Sequence, residues 1–203
     1  MDNIYLTVEK KASSELIEKK SKFIGNICHV GSEEEAIAFV KSIKKKYYDA
    51  NHSAYAYITE NTKRYSDDGE PAKTAGLPIL DMLDNQNLSD VVCVVTRYFG
   101  GILLGTGGLV RAYTGAAKLA LDEAGIKKML LHDKYVFTVP YSLFDNAKYI
   151  ATECCCTFLN CDYTDIITIE AVCRKEDSIN LLDKLNLAFG INIKIEKSGE
   201  IFR

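Results

Sequence analysis

No apolar run in this chain approaches the ~18–20 residues that a membrane-spanning helix needs. The opening residues, MDNIYLTVEKK, have neither the basic start nor the apolar stretch of a secretory signal. Both absences point to a cytosolic chain with no membrane partner. Proline is scarce, at three in 203 residues, while 47% of residues are hydrophobic and 26% charged, the profile of an ordinary soluble globular protein. A chain of this length makes one large domain or two small ones around a substantial core. Neither sign of charge dominates, with 25 Lys and Arg against 28 Asp and Glu and a net charge of −3. Up to residue 133 there are 17 basic and 18 acidic residues, and after it 8 and 10. The strong basic surplus of a dedicated nucleic-acid binder is missing from both parts. The local run Lys44, Lys45 and Lys46 suits a helix end, where cations complement the dipole.

Metal-binding and catalytic spacings are missing too. The seven cysteines are odd in number and include no CxxC pair. Cys154, Cys155 and Cys156 are adjacent, so they project in different directions and cannot readily clasp one ion, and Cys161 adds no recognised zinc spacing. They read as small apolar residues in a reducing compartment. The chain carries no HExxH, no GxSxG elbow and no local nucleophile pattern, which leaves hydrolase or peptidase chemistry without a basis.

Hydrophobic spacing shows two kinds of region. IYLTVE, SSELIEKK and KFIGNICHV alternate as strands. SEEEAIAFVKSIKKKYYDA opens on Ser32 with Glu35 three residues on, a capping-box pattern, and places Ala36, Ile37, Val40, Ile43 and Tyr47 at helical spacing. NHSAYAYITE alternates again, with His52, Ala54, Ala56 and Ile58 on one face. NTKRYSDDGEPAKTAGLP reads as a long polar connection and PILDMLDN as a short helix with Pro78 in its first turn. DVVCVVTRYF is a β-branched run suited to a central strand buried on both faces. GLVRAYTGAAKLALDEAG is a helix with Leu109, Ala112, Ala116, Leu119 and Ala120 inward and Gly125 as its stop.

From about Lys134 the order becomes KYVFTVPYSLF (strand), DNAKYIATECC (helix), TFLNCDYT and DIITIEAVCR (strand pair), DSINLLDKLNLAFG (helix) and INIKIEKSGEIF (strand). In the second helix Ile179, Leu182, Leu185 and Phe189 share a side. This βαββαβ order is the ferredoxin-like split. RNA-recognition modules share it, but IITIEAVC lacks the aromatic and glycine platform of their third strand. The sequence therefore predicts an α+β protein of two domains, residues 1–133 and 134–203.

Two segments carry the candidate chemistry. RYFGGILLGTGGLVRAY, residues 97–113, holds five glycines in nine positions between a strand and a helix. Gly100, Gly101, Gly105, Gly107 and Gly108 let a backbone be approached closely, and a helix N-terminus there favours an anion, with Arg97 and Arg111 as charged partners. The alternative is tight strand–helix packing that tolerates no Cβ. The loop matches neither GxGxxG, since Val110 stands at the last position, nor the Walker pattern, since Thr106 and Gly107 replace Lys and Ser/Thr. In SDDGEPAKTAG, Asp67, Asp68 and Glu70 crowd around Gly69. Such a cluster suits Mg²⁺ held opposite a phosphate in the glycine loop, and Mg²⁺ is the one cofactor these residues suggest. Equally, Asp67 can accept backbone N–H bonds in the turn while Glu70 caps or pairs with an arginine. His52, on the neighbouring strand, serves either as a structural hydrogen bonder or in a site.

YSDDGEPAKTAGLPIL and VVTRYFGGILLGTGGLVRAY, with NHSAYAY upstream, resemble the IMPACT family in its bacterial, YigZ-like branch. The resemblance spans nearly the whole chain. It implies an N-terminal domain similar to the second domain of small-subunit ribosomal protein five, and a ferredoxin-like C-terminal domain similar to one in elongation factor G. It also implies a non-enzymatic role linked to translation, with a ribosome, an RNA or a translation-control protein as partner. In eukaryotic relatives that role runs through a regulator of an initiation-factor kinase and an additional domain not expected here. His52, Asp67, Asp68, Gly69, Glu70, Arg97, Tyr98, Arg111 and the loop glycines match the family motifs. Lys73 departs from them, adding a positive charge where a small residue is common. A Mg²⁺-dependent enzyme of phosphate or nucleotide chemistry is the second expectation, by analogy with kinases that share the superfamily fold.

Overall fold

The computed structural model describes residues 3–203, which form two compact units. One comprises Tyr5–Lys128, and the other Met129–Arg203 with Asn3 and Ile4. The division falls inside one long strand, so residues 129–133, assigned from sequence to the first domain, belong to the second unit. Among the described residues, no helix is long and apolar enough to cross a membrane.

The first unit is built on a five-stranded antiparallel sheet of β2 (Ala12–Glu18), β3 (Ser21–His29), β4 (His52–Thr59), β5 (Thr62–Ser66) and β6 (Val91–Tyr98). Its order is β2-β3-β6-β4-β5, and β1 (Ile4–Val8) precedes it. Val91, Cys93 and Val95 of β6 enter the core on one face and Val92 and Val94 the core on the other, as the β-branched run predicts. Helix α1 (Glu33–Lys46) covers the second face through Ala36, Phe39, Val40 and Ile43. Ser32 Oγ accepts from Glu35 N at 3.3 Å and Glu35 Oε2 from Gly31 N at 2.7 Å, so Ser32 caps α1 and Glu35 ties the residue before it to the first turn. Helices α2 (Gly76–Asn85) and α3 (Thr106–Ala124) cover the first face, α3 through Leu109, Ala112, Tyr113, Ala116, Ala117 and Ala120. Leu119, expected inward, is 42% exposed, because Tyr113 and Ala117 turn the buried face.

β5 corrects the sequence reading. Thr62–Ser66 was expected to be loop, yet it pairs antiparallel with β4 from Thr59↔Thr62 to Tyr55↔Ser66. As an edge strand with mostly exposed side chains it needs no apolar alternation, so its pattern imitates a loop. The connection to α2 is therefore shorter than the sequence predicts, running from Asp67 to Ala75.

The second unit is built on a five-stranded sheet in which β7 (Ile126–Val139), β9 (Ile167–Arg174) and β8 (Thr157–Tyr163) follow in that order and both β1 and β10 (Lys194–Phe202) pair with β7. Helices α4 (Tyr141–Glu153) and α5 (Ser178–Phe189) pack on one face over Phe137, Ile167, Ile169 and Ala171. This is the ferredoxin-like arrangement. β7 ends at Val139 and not at Phe144, because Pro140 lacks an N–H for the ladder while its φ of −62° suits the start of α4. In α5 the buried series is Leu181, Leu185 and Phe189, and Ile179 faces solvent.

Candidate functional site

The acidic turn and the glycine loop meet in one cleft of about 520 Å³. Asn51, His52, Gly69, Glu70 and Pro71 line one side, and Phe99, Leu103, Leu104, Gly105, Thr106 and Leu109 the other, with Arg97 between. Register explains the meeting. His52 of β4 lies directly opposite Arg97 of β6, and both side chains emerge on the face that α2 and α3 cover.

Glu70 is the buried centre of the turn. Its Oε1 accepts from Arg97 Nη1 at 2.7 Å and from the Tyr113 hydroxyl at 2.8 Å. Burial, reinforced by the Glu70 carboxylate, pushes the Tyr113 phenol far above its ordinary range, so it remains a donor. The Arg97 guanidinium lies between Phe23 and Phe99, 5.5 and 5.4 Å from their ring centres. The cluster therefore joins the turn, the central strand and α3.

The other two carboxylates have different partners. Asp67 Oδ1 accepts from Ala75 N at 3.0 Å and Gly76 N at 2.8 Å, and its Oδ2 from Lys73 N at 2.8 Å. It thus caps α2, whose own N-cap position, Ala75, has no side chain able to do so. Asp68, at φ +49°, places Oδ1 2.5 Å from Lys44 Nζ and accepts from Ser53 N at 2.6 Å, while its carbonyl oxygen meets His52 Nδ1 at 2.8 Å. Gly69 follows at φ +86°. Asp67, Asp68 and Glu70 face three separate sets of donors. Among the described residues, no group of three His, Cys, Asp or Glu side chains is placed to hold a metal ion. The geometry follows the alternative in which Asp67 holds backbone N–H groups and Glu70 pairs with an arginine.

The glycine loop divides by cause. A Cβ on Gly100 would overlap the Lys20 and Ser21 backbone, so close packing against the β2–β3 turn requires that glycine. Gly101 and Gly105 stand at φ +83° and +72° with open space where a Cβ would point. Gly105 is the N-cap of α3 and gives it no side-chain cap, and Gly107 and Gly108 form its first turn with Thr106.

Five of the predicted residues line the cleft: His52, Gly69, Glu70, Arg97 and Gly105. Asp67 and Asp68 hold the turn from behind. Tyr98 donates to Asp49 at 2.7 Å, a bond that, with burial, pushes its phenol up to about 12. Arg111 is exposed, and Lys73, at φ +61°, lines a different depression with Leu77, Pro78 and Asp81. The sequence reading missed Tyr113 as the partner of Glu70, and Phe99, Leu103 and Leu104 as the apolar wall. The exposed apolar run FGGILL was the available signal.

A family profile described as Impact N-terminal domain matches residues 19–121. The chain is 42% identical over 125 residues to the IMPACT family member YvyE of Bacillus subtilis, a match covering 60% of this chain and 58% of that protein. It is 36% identical over 196 residues to an IMPACT family member of Haemophilus influenzae, covering 91% of this chain and 82% of that one. A solved structure described as a hypothetical protein superposes with a TM-score of 0.68 at 29% identity, over 97% of this chain and 98% of its own. The profile contains both walls of the cleft, and the chain belongs to the IMPACT family.

Proposed function

We propose that this protein is a translation-linked regulator that acts in the cytoplasm by binding a ribosome or RNA partner, without catalysis, and that the cleft is its contact surface. Family membership supports the link to translation, since the resemblance ties eukaryotic members to translational control. One observation carries the choice of binding over chemistry. Every carboxylate of the acidic turn is occupied by an internal donor, while the opposite rim presents Phe99 and Leu103, the latter 83% exposed. A rigid polar wall facing an exposed apolar rim suits recognition. With all three turn carboxylates so occupied, Mg²⁺-dependent phosphate chemistry gains less support.

Sedimentation with ribosomal particles at physiological salt tests the reading. The expected result is co-migration that falls at least tenfold in Leu103→Asp, an exposed change that leaves the fold intact. Wild-type protein found only at the top of the gradient, with and without translating ribosomes, refutes it.

A further inference from the structure

We propose that Cys156 and Cys173 form a redox site in the second unit, a thiol pair that closes reversibly into a cross-strand disulfide when a hydroperoxide is the oxidant. The site does not depend on the function assigned to the cleft.

Register brings the two residues together. β8 and β9 pair antiparallel with Phe158 opposite Ala171 and Thr157 opposite Val172, so the next step places Cys156 opposite Cys173. Both side chains enter the same core as Ile169 and Ala171. The Cys156 N–H donates to Ala151 O at 3.0 Å, so the pair does not exchange two backbone bonds across the ladder. Antiparallel partners of that kind stand closest, with Cα atoms about 4.5 Å apart, inside the range a disulfide spans. The side chains converge as well. The Cys173 thiol donates to Cys154 O at 3.5 Å and the Cys156 thiol to the same oxygen at 3.9 Å. A hydrogen bond between the two thiols is the largest influence on the ionisation of each, easing proton loss at Cys173 and opposing it at Cys156.

Among the described residues, no other cysteine stands opposite a thiol. Cys28 faces Val92 across the ladder and Cys93 faces Ile27, so their side chains leave opposite faces of the first sheet. Cys161 lies opposite Ile169. Cys154 Sγ accepts from Asn180 Nδ2 at 3.9 Å, and Cys155 is exposed. Cys155 also holds φ +56° in the turn that leaves α4, and Cys156 beside it keeps 9% of its surface in solvent. A left-handed non-glycine residue is costly to hold, so this turn is where local opening admits a small oxidant.

One hydroperoxide balances the reaction. A thiolate of the pair attacks a peroxide oxygen, the O–O bond breaks, and the leaving oxygen takes up a proton as water or an alcohol. The second thiol attacks the sulfenic acid so formed, the S–S bond closes, and water departs. Two thiols lose two electrons and the peroxide gains them. A dithiol reverses the step by exchange. Closure also removes both S–H donors from the Cys154 carbonyl at the C-terminal end of α4, so that helix end reports the state of the pair.

The test exposes the reduced full chain to hydrogen peroxide, alkylates the remaining thiols, and weighs the protein before and after cleavage at acidic residues. Such cleavage puts Cys173 on a different peptide from Cys154, Cys155, Cys156 and Cys161. The expected product is a monomer that has lost two hydrogen atoms, alkylates at two fewer than its seven cysteines, and carries those two peptides joined. A dithiol restores all seven. Cys156→Ser and Cys173→Ser should each reduce the joined product at least tenfold, while Cys154→Ser and Cys155→Ser retain it. In an NMR spectrum of the oxidised chain the Cys155 and Cys156 amides should move. Full alkylation after peroxide, joining that persists in Cys156→Ser, a disulfide between two chains as the sole product, or a product that a dithiol cannot restore overturns the proposal. The wild-type masses decide even if Cys173→Ser, a change inside the core, fails to fold.

Discussion

Each unit of the chain buries one carboxylate beside a cation and a tyrosine, and the two clusters are finished differently. In the first, Glu70 meets Arg97 and Tyr113, and Arg97 is itself buried. In the second, Lys197 Nζ lies 2.7 Å from Asp133 Oδ1 and the Tyr135 hydroxyl 3.3 Å from Oδ2, but the Lys197 side chain is 43% exposed and also reaches Glu200. A flexible, hydrated ammonium closes the second cluster from solvent. A rigid guanidinium between two rings forms part of a cleft in the first. The same device, an acid that ties strands to a helix, is sealed in one unit and left beside an opening in the other. Under the proposed function, that difference is why the contact surface is assigned to the first unit.

The largest expected effect follows from removing the sealed-in acid. Glu70→Ala leaves the Arg97 charge buried without its partner, a loss of about 3–5 kcal/mol for breaking a buried pair. Urea denaturation followed by far-ultraviolet circular dichroism measures it. Replacing both partners, Glu70→Leu with Arg97→Met, should recover most of that stability while abolishing binding at the cleft. A double variant no more stable than Glu70→Ala would show that the cluster does more than neutralise charge, and the comparison with Asp133 would fail.

Asp133→Asn should be milder, about 1–3 kcal/mol, the range for hydrogen bonds to a charged group, because Lys197 can turn to water when its partner goes. This site also has a pH signature. Burial alone would raise the Asp133 carboxyl, but hydrogen bonds from Lys197, Ser178 and Tyr135 hold it below the usual carboxylate range. A folded-state value below the unfolded one, which is about 3.9, gives stability that is complete above roughly pH 5. That stability is lost as pH falls through the folded value. The gap between wild type and Asp133→Asn should thus be constant from neutral pH to about 5 and close at lower pH. A gap that widens on acidification contradicts the assignment.

How much of this could be read from sequence depended on which force fixed each element. β6 was legible because burial on both faces demands an unbroken β-branched run, VVCVV. The capping of α1 was legible because Ser32 and Glu35 act within one turn. β5 was not, since an edge strand is held by backbone pairing and its side chains carry no pattern. In the site, DDGE and the glycine loop stood out as composition. Which carboxylate did what was hidden, because Asp67 is assigned by α2, Asp68 by Lys44 and Ser53, and Glu70 by Tyr113, 43 residues away. Such partners are chosen by tertiary packing. The reason for Gly100 was hidden likewise, since the backbone that excludes its Cβ belongs to Lys20.

The smallest effect on stability falls on the residue that most separates the two clusters. Phe99 covers the Arg97 guanidinium at 5.4 Å and is nearly half exposed, so Phe99→Ala removes one cation–π contact and little buried area. Partly exposed contacts of that kind contribute about 0.5–1 kcal/mol. The thermal midpoint should therefore drop by only a few degrees. The guanidinium remains fixed by Glu70 and by Phe23 on its other face, so the Arg97 amides and the β3–β6 pairing should be unmoved in an NMR spectrum. Partner binding at the cleft should fall by a factor of ten or more, because an exposed part of its apolar wall is gone. The corresponding change in the second unit, Lys197→Met, removes the solvent-side closure of Asp133 and should alter stability and nothing else. If Phe99→Ala proved as destabilising as Glu70→Ala, Phe99 would be core packing, and the opening beside Arg97 would be as closed as the cluster around Asp133.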